Sequence, residues 1–373
     1  MTPAIITSSK FSDQSQFMPR PILARIDQNA LEHNLQVARR ATSARIMAVI
    51  KANGYGHGLL RTAQALSAAQ GFALLDIRDA IALREAGYRQ TILLLEGFFD
   101  AADLEYVAEY DLACVIHSQW QIALLDAYPR RAALDVWLKV NSGMHRLGFS
   151  PLQAGGAMEA LRSNRAVREI TLMTHFANAD DERGVSVQLN AYNRIAAQYR
   201  LPRSLANSAA LLRYPATHGD WVRPGIMLYG ASPFADVSAE QLGLKPVMTL
   251  NSRVIAIQRL DAGDEVGYGG KYRADRAMRV GIVACGYADG YPRHAKNGAP
   301  VLVDGQRSQL LGRVSMDMLC VDLTALHEAG TGSTVTLWGA GMPIEEVAMA
   351  AGTISYELMC GLTQRVSVAE GEP

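Results

Sequence analysis

The sequence AVIKANGYGHG, residues 48–58, is an apolar run that ends on Lys51 and passes into a glycine-rich turn. Together with the residues before it, the run predicts a buried β-strand over residues 45–50. A lysine at the tip of such a strand is costly unless its amine has a specific task, because burial disfavours the charged form. Only six of the 36 basic residues in the chain are lysine. Two of these six, Lys51 and Lys139, nevertheless lie in strand-like apolar runs, so both are candidates for a function.

A short apolar run followed by a longer amphipathic stretch is a pattern that repeats along the first two thirds of the chain. The amphipathic stretches, such as residues 77–88 and 118–128, have apolar residues at three- and four-residue spacing, which is typical of helices. Eight strands that alternate with helices favour a closed parallel barrel, (β/α)8 or TIM-type, over an open doubly wound sheet. The predicted strands cover residues 45–50, 71–75, 91–95, 113–116, 135–140, 169–176, 203–207 and 227–229.

The sequence changes character near residue 246. From there, segments of alternating polarity are separated by turns such as Asp304-Gly305, which predicts a mainly antiparallel β domain. A helix over residues 344–350 and a strand over residues 364–368 complete this domain, and a strand over residues 21–26 joins it. We therefore expect a flexible tail over residues 1–20, a barrel over residues 21–245 and a β domain over residues 246–373.

Composition argues against several classes of protein. The chain has 373 residues, is 49% hydrophobic and has a formal charge of zero, without a basic stripe that would indicate nucleic acid as the partner. Its four widely spaced cysteines, without a C-x-x-C pair, favour a reducing compartment over disulfides or a metal site. No apolar run reaches the roughly 18 residues of a membrane span, and the N-terminus does not resemble a signal peptide. We expect a soluble, cytoplasmic protein.

The residues that follow the barrel strands carry the functional prediction, because the carboxyl ends of the strands face the mouth of a barrel. A partly desolvated lysine such as Lys51 loses its proton more easily and can attack an aldehyde to form a Schiff base. Ser208, with the backbone N–H groups of Gly225 and Ile226, can bind a phosphate. Pyridoxal phosphate carries both an aldehyde and a phosphate, so the rim predicts this cofactor. The further residues expected at the rim are Lys139, Arg146, His175, Asn207 and Arg223.

Taken singly, these residues also have simpler interpretations. Lys51 can extend from the strand end to solvent, His175 can be an ordinary core histidine, and Arg146 can form a structural ion pair. The glycines of residues 53–58 and 266–272 mark turns, and neither stretch opens a βαβ helix as a dinucleotide fingerprint would. No single residue therefore establishes the function.

Nine motifs, in their order along the chain, resemble the alanine racemases. They are AVIKANGYGHG, KVNSGMHRLGF, THFANAD, LANSAA, RPGIMLYG, VGYGGKY, GYADGYPR, GRVSMDM and SYELMC. The resemblance extends from about residue 22 to the C-terminus. It implies a pyridoxal-phosphate barrel with a β domain, a head-to-tail homodimer with shared active sites, and alanine as the small-molecule substrate.

The resemblance also implies a two-base mechanism. Lys51 resembles the lysine that holds the cofactor covalently and exchanges the proton of D-alanine. Tyr268 resembles the second base, which comes from the partner chain and exchanges the proton of L-alanine, since one residue cannot reach both faces of a planar carbanion. A tyrosine with an ordinary pKa of about 10 is a poor base at neutral pH. His175 and Arg146 are the neighbours expected to assist it.

Other site residues follow from the same resemblance. Arg223 resembles the arginine that donates to the pyridine nitrogen and leaves it unprotonated, because a guanidinium stays charged. Lys139 resembles a lysine that is often carbamylated and orients the arginine that matches Arg146, although an internal ion pair remains an alternative. The implied sets are Tyr55, Asn207, Ser208, Gly225, Ile226 and Tyr356 for the cofactor; Arg146, Tyr287, Met316 and Asp317 for the substrate; and Asp180, Arg293, Arg313, Ile354 and Tyr356 for a narrow entrance that favours a small amino acid.

The sequence departs from the family pattern at two positions. Ser204 stands where many relatives have histidine, which leaves open how Arg223 is supported. Ser315 replaces a frequent cysteine, and we expect little effect from this change.

Two competing functions use the same features. A broad-specificity racemase or an amino-acid decarboxylase could use the same barrel, but a decarboxylase would lack bases on opposite faces. A non-catalytic pyridoxal-phosphate carrier would need neither Tyr268 nor Met316, so removal of the β domain would leave its cofactor binding intact.

Overall fold

The computed structural model describes residues 20–129 and 133–371. Two sheets dominate the structure: a closed barrel of eight parallel strands and a separate eight-stranded sheet whose strands are mostly antiparallel. The predicted fold class, a (β/α)8 barrel followed by a mainly antiparallel β domain, is confirmed. Of the tail that we expected over residues 1–20, residues 1–19 lie outside the described residues.

The barrel strands are short and buried. Strand β1 (Leu23–Ile26) precedes them, and it belongs to the second sheet. The barrel strands, in chain order, are β2 (Arg45–Val49), β3 (Gly71–Leu74), β4 (Thr91–Leu94), β5 (Ala113–Ile116), β6 (Leu134–Lys139), β7 (Val167–Met173), β8 (Arg203–Ser204) and β9 (Trp221–Val222). β2 closes the barrel by pairing in parallel with β9. Every residue of β3 and β5 is buried, which explains why these strands are continuous apolar runs.

The eighth barrel strand differs from the prediction. We expected it at residues 227–229, but the strand is Trp221–Val222, and Ile226–Tyr229 forms a 3-10 helix. Pro224, which has no backbone N–H to donate to a sheet, lies between the two. The apolar run is still buried, and the side chain of Asn34 donates a 3.1 Å hydrogen bond to a carbonyl of this 3-10 helix. Burial alone therefore produced the strand-like pattern.

Helices alternate with the barrel strands. They are α1 (Gln28–Ala41), α2 (Lys51–Tyr55), α3 (Leu59–Ala65), α4 (Ile77–Glu85), α5 (Ala101–Glu109), α6 (Gln119–Ala127), α7 (Pro151–Ser163), α8 (Ser186–Ala196) and α9 (Ser208–Arg213). Aspartates Asp27, Asp76 and Asp100 begin α1, α4 and α5, and each side chain accepts a hydrogen bond from a backbone N–H of the first turn. Within the described ranges no helix has the length and apolar character that a membrane span requires.

The second sheet contains strands from both ends of the chain. Its strands after the barrel are β10 (Met248–Leu260), β13 (Met278–Val283), β14 (Pro300–Val303), β15 (Gln306–Leu311), β16 (Leu319–Asp322), β17 (Thr334–Trp338) and β18 (Ser367–Glu370). A separate two-stranded hairpin, β11 (Glu265–Val266) and β12 (Tyr272–Arg273), lies between β10 and β13 in the sequence. Two helices, α10 (Ile344–Ala351) and α11 (Ser355–Cys360), precede β18. β1 pairs antiparallel with β10 and in parallel with β18. A 3-10 helix, Tyr287–Asp289, follows β13. The last strand begins three residues later than the predicted residues 364–368.

Candidate active site

One cavity of about 810 Å³ opens at the carboxyl ends of the barrel strands. Residues from β2, β4, β6, β7 and β9 or from the turns after them line it, and α11 of the C-terminal part of the chain closes one side. The structure brings together here most of the residues that the sequence predicted for the rim: Lys51, Tyr55, Lys139, Arg146, His175, Asn207, Ser208, Arg223, Gly225, Ile226, Ile354 and Tyr356.

Lys51 lies immediately beyond the end of β2. The strand ends at Val49, and Ile50 still donates a 2.9 Å hydrogen bond to Ala73 of the neighbouring strand before the chain turns. The Lys51 amine faces the cavity wall that also contains Arg146. Burial, and then the positive charge of Arg146, lower the pKa of Lys51 from its ordinary value. A neutral, nucleophilic amine is therefore more accessible here than at a solvated lysine.

The turn after Lys51 has an unusual backbone. Four consecutive residues, Ala52, Asn53, Gly54 and Tyr55, have φ of 54°, 54°, 60° and 50°, so the chain makes a left-handed helical turn. Each non-glycine residue in this conformation is strained by roughly 1–2 kcal/mol. The side chain of Asn53 offsets part of this cost by accepting a 2.8 Å hydrogen bond from Leu59 N. The turn directs Tyr55 into the interior, where its ring stacks on Tyr229 at 4.5 Å.

The buried side chain of His57 stabilises this turn through hydrogen bonds to its backbone. Its Nδ1 lies 2.9 Å from the carbonyl oxygen of Tyr55 and 3.0 Å from that of Gly54, so Nδ1 carries the proton and donates to the turn. Its Nε2 is buried without a hydrogen-bond partner among the described residues. Burial lowers the pKa of His57 to about 4, so the ring is neutral at physiological pH.

The burial of His57 predicts a loss of stability in acid. Its folded-state pKa of about 4 lies below the ordinary 6.5, so between these pH values the unfolded chain binds a proton that the folded chain excludes. The stabilisation is complete above about pH 6.5 and falls by up to about 3 kcal/mol as the pH approaches 4. Urea unfolding of the wild type and of His57→Gln at about pH 7 and pH 5 would measure it. We expect the loss on acidification to be smaller in the variant; equal losses would contradict the assignment.

Ser208 and Gly225 form a compact polar cradle on the opposite wall. Ser208 Oγ accepts hydrogen bonds from Gly225 N at 2.9 Å and Met227 N at 3.5 Å. Asn207 holds the start of α9, since its side chain accepts a 3.0 Å hydrogen bond from Ala210 N. A Cβ atom on Gly225 would lie 2.6 Å from the Tyr55 hydroxyl. Only glycine therefore allows the Tyr55 hydroxyl and this backbone to approach each other.

Arg223 is buried and fixed by neutral acceptors. Its Nη1 donates to Ser204 Oγ, and its Nη2 donates to the carbonyl oxygens of Thr174 at 2.6 Å and Leu205 at 3.4 Å. Ser204 in turn donates a 3.0 Å hydrogen bond to Trp221 O, which answers how this arginine is supported without a histidine at position 204. Its Nε makes no hydrogen bond within the described part of the chain. Burial lowers the pKa of Arg223 to about 10, so the group remains a cation at neutral pH.

The cavity contains more positive than negative charge. Burial is the main cause that lowers the pKa of Lys139 to about 8, and the cations Arg223 and Arg146 lower it further. Burial also lowers the pKa of His175 well below its ordinary value, again assisted by neighbouring cations. His175 is therefore neutral near pH 7, and Arg146 supplies the positive charge beside it.

The mouth of the cavity is formed by α11 and the loop after β7. Tyr356 lies 5.8 Å from Tyr55, measured between ring centroids. Burial, followed by the negative charge of Asp180, raises the pKa of Tyr356 to about 12. Ile354 is more than half exposed beside it. These three predicted entrance residues, Asp180, Ile354 and Tyr356, thus lie together on one chain.

A second group of predicted residues lies on the surface of the β domain, away from this cavity. Tyr268 is 71% exposed in the β11–β12 turn, and Met316 is also exposed. The loops that carry them are neighbours: a Cβ atom on Gly267 would lie 3.9 Å from Arg313 O, and Tyr287 N donates to Ser315 O at 3.0 Å. The guanidinium of Arg293 lies 6.0 Å from the ring of Tyr287. The carboxylate of Asp317 is engaged by Arg20 and Arg365. Within one chain, this surface does not line the barrel cavity.

The sequence analysis missed several residues of the cavity wall. Glu96 follows β4 at the same edge as Lys51, and its charge opposes the lowering of the lysine pKa values there. Glu357 and Cys360 line the cavity from α11. Glu96 could have been found, because it follows a predicted strand just as Lys51 does. Nothing in the local sequence of α11 indicates which of its faces meets the barrel.

Comparison with known proteins identifies the family. The models of the alanine racemase N-terminal and C-terminal domains match residues 26–233 and 247–369. The alanine racemase of Nitrosospira multiformis is 59% identical over 353 residues, which is 94% of this chain and 99% of that protein. The catabolic alanine racemase of Klebsiella aerogenes is 53% identical over 355 residues, or 94% and 99% of the two chains. The crystal structure of the biosynthetic alanine racemase from Pseudomonas aeruginosa has a TM-score of 0.93 and 46% identity, and the match covers 95% of this chain and 100% of that one. The resemblance is confirmed: the chain belongs to the alanine racemase family of isomerases.

Proposed function

We propose that the protein interconverts L-alanine and D-alanine with pyridoxal 5'-phosphate as cofactor. The observation that carries this proposal is the single cavity in which a lysine of lowered pKa, Lys51, faces a polar cradle and the buried cation Arg223. A lysine amine binds the aldehyde of the cofactor, and the cradle and the cation suit its phosphate and its ring.

The residues present fit pyridoxal phosphate. The hydroxyls of Ser208 and Tyr55 offer hydrogen-bond donors at one end of the cavity, Gly225 N orients the Ser208 hydroxyl by donating to its oxygen, and no side chain intrudes at Gly225. Arg223 offers Nε, which has no partner in the described chain, to an acceptor such as an unprotonated ring nitrogen. The cofactor, when bound, supplies an electron sink that stabilises negative charge on the Cα of an amino acid.

Lys51 has two tasks in this proposal. Its amine would hold the aldehyde of the cofactor covalently, and as a free amine it would accept or return a proton at Cα on the face used by D-alanine. Burial and the charge of Arg146 keep the amine able to lose its proton. Arg223 stays cationic, so it would donate a hydrogen bond to the ring nitrogen without giving up its proton; this would weaken the electron sink and favour proton exchange over transamination.

Tyr268 of the partner subunit is the second base in this proposal, so the protein acts as a homodimer. The exposure of Tyr268 on a surface that also carries Met316 and Tyr287 supports this, because such a phenol is free to enter another chain. Arg146 and neutral His175 would lie beside it, and the positive charge of Arg146 favours the phenolate form. Met316 and Tyr287 would contact the substrate, and Arg293 and Arg313 would complete the entrance.

An assay of the purified protein tests the proposed function. The protein, with pyridoxal phosphate added, is incubated with L-alanine, and D-alanine is followed with a stereospecific oxidase. The reverse reaction is followed with a dehydrogenase specific for L-alanine. We expect conversion in both directions and far slower conversion of larger amino acids, because the entrance is narrow. Release of carbon dioxide, or tight cofactor binding without any conversion, would instead favour the decarboxylase or the carrier.

Lys139 is proposed to be carbamylated. A pKa of about 8 makes its neutral amine, the form that reacts with carbon dioxide, far more abundant than at an ordinary lysine. The resulting carboxylate would orient Arg146 among the surrounding cations. With isotopically labelled bicarbonate we expect a carbamate signal that is absent in Lys139→Ala. We also expect kcat to fall about tenfold in this variant, the cost of one charge-assisted hydrogen bond. No signal and unchanged kcat would leave Lys139 as an ordinary internal cation.

A further inference from the structure

Four side chains form an alternating ring of charges at the edge of the β domain. Arg20 Nη2 donates to Asp289 Oδ2 at 3.1 Å, and its Nη1 donates to Asp317 Oδ1 at 3.4 Å. Arg365 Nε lies 3.3 Å from Asp289 Oδ1, and its Nη2 donates to Asp317 Oδ1 at 2.6 Å. We call Arg20, Asp289, Arg365 and Asp317 the ion-pair ring. Arg20 precedes β1, Asp289 ends the 3-10 helix after β13, Asp317 precedes β16 and Arg365 precedes β18, so the ring joins four segments of the chain.

Asp289 is the member of the ring that solvent does not reach. Its side chain is 0% exposed, whereas the side chains of Arg20, Arg365 and Asp317 are 29%, 39% and 46% exposed. A buried carboxylate depends on its partners, because it has no water to replace them. The exposed pairs alone would be screened and weak. Asp289 is therefore the member on which the positions of both arginines depend most.

The ring fixes the two loops that present Tyr287 and Met316. Oδ2 of Asp289 also accepts a 2.9 Å hydrogen bond from Gly286 N, and Arg20 donates a 2.9 Å hydrogen bond to Asp317 O. The two loops are joined to each other, since Ala288 N donates to Met316 O at 3.0 Å. Arg20 thus bridges the two loops, and the Asp289 side chain binds both Arg20 and the backbone of its own loop.

Contacts beside the ring also connect the first of these loops to the segment after α11. Thr363 N donates to Asp289 O at 3.2 Å, and Thr363 Oγ1 donates to Ala288 O at 2.8 Å. Gly290 packs so closely on this segment that a Cβ atom would lie 2.4 Å from Gly361 O. The substrate-contacting loops are therefore rigid with respect to the rest of their own chain.

We propose that Asp289 is a positioning residue that acts on the active site of the other subunit: through Arg20 and Arg365 it holds Tyr287 and Met316 where they meet the substrate in the partner's cavity. This inference rests on the proposed function, because it requires that the two loops serve a shared site. Asp289 touches neither substrate nor cofactor.

The first test is Asp289→Asn, which keeps the size of the side chain but removes its charge. Two arginines then face the single carboxylate of Asp317, and the loops loosen. We expect KM for alanine to rise about tenfold with kcat changed less than about threefold, since binding contacts are lost while Lys51 is untouched. Affinity for pyridoxal phosphate should not change. Arg365→Gln, at a half-exposed position, should raise KM in the same direction with less risk to folding. The free-energy change calculated from the KM of the double variant should be smaller than the sum of the changes in the two single variants, because both substitutions act through one ring.

Mixed dimers decide in which cavity Asp289 acts. Chains with different tags are co-expressed, and the mixed dimers are purified. In a dimer of Lys51→Ala with Asp289→Asn, the cavity that retains lysine takes its loops from the chain with intact Asp289, so we expect the KM of the wild type. In a dimer of wild type with a chain that carries both substitutions, the remaining cavity takes the altered loops, so we expect the raised KM. The proposal would be overturned if the first mixed dimer had the raised KM and the second the KM of the wild type, or if the two dimers had equal KM values.

Hydrogen–deuterium exchange separates this inference from the proposed function. In Asp289→Asn we expect faster exchange at residues 286–290 and 315–318 than in the wild type, with the barrel strands unchanged. Asp135→Asn is the matched control, because it removes another carboxylate paired with an arginine, Arg168, at 2.7 Å and at the start of β6. It should alter neither KM nor these loops. A wild type without racemase activity would defeat the proposed function alone, whereas unchanged loop exchange would defeat the role of Asp289.

Discussion

Lys51→Ala is expected to abolish racemisation in both directions. The substitution removes the amine that we propose to bind the cofactor and to act as one of the two bases, so kcat should fall at least about 10⁴-fold, the upper range for a general base. Treatment with borohydride should attach the cofactor covalently to the wild type at Lys51, as mass spectrometry of peptides would show. It should leave the variant unlabelled.

The control for this variant is Lys245→Ala. Lys245 is exposed, and its backbone rather than its side chain makes the recorded hydrogen bonds with Asn34. This variant should retain full activity and covalent labelling at Lys51. Racemisation by Lys51→Ala within tenfold of the wild type, or labelling of another lysine, would contradict the assignment.

Tyr268→Phe is expected to stop racemisation while it leaves half of the proton chemistry intact. The hydroxyl is the only group removed and the ring remains, so kcat should fall by about 10³-fold or more through the loss of the base. In deuterated water, however, Lys51 can still exchange the Cα hydrogen of D-alanine on its own face. We therefore expect solvent deuterium to enter D-alanine at a measurable rate and L-alanine hardly at all, as NMR would detect.

Two controls accompany the tyrosine variant. Tyr106→Phe removes the hydroxyl of a tyrosine on α5 that is 45% exposed, and it should change neither kcat nor deuterium exchange. A mixture of the two inactive chains, Lys51→Ala and Tyr268→Phe, should regain activity after subunit exchange, because one cavity of the mixed dimer contains both groups. Absence of this recovery, or deuterium exchange at L-alanine equal to that at D-alanine, would show that Tyr268 is not the second base.

The barrel was predictable because its strands are buried on both faces. Continuous apolar runs bounded by turns placed β3, β4 and β5 to within one residue of their observed bounds. The prediction was wrong for the eighth barrel strand, β9. This strand has only two residues, and the longer apolar run after it is buried as a 3-10 helix. Periodicity reports burial, and it cannot distinguish these two ways of being buried.

The candidate site was predictable where strand ends define it, and less so where tertiary contacts do. The carboxyl ends of β2 and β6 led to Lys51 and Lys139, whereas Arg223 was expected at the start of a strand over residues 227–229; the structure places all three residues on one cavity, with Arg223 directly after β9. The glycines after Lys51 indicated a turn, but not a left-handed turn that includes Ala52 and Asn53. That conformation depends on His57 and on buried aromatic packing. In the ion-pair ring, Arg20 is 269 residues from Asp289 and Arg365 is 48 residues from Asp317, so no local pattern could reveal the ring.

The pairing of β1 with both β10 and β18 has a consequence for biosynthesis. At one edge of the eight-stranded sheet, strands that are far apart in the sequence lie side by side, since Leu23 is in register with Asn251 and with Ser367. The barrel is thus inserted between the first and second strands of another domain. During translation, β1 is made before the barrel and has no partner strand until β10 has been made. We expect the barrel to begin folding during translation, and the β domain to close only after β10 and β18 have become available to pair with β1.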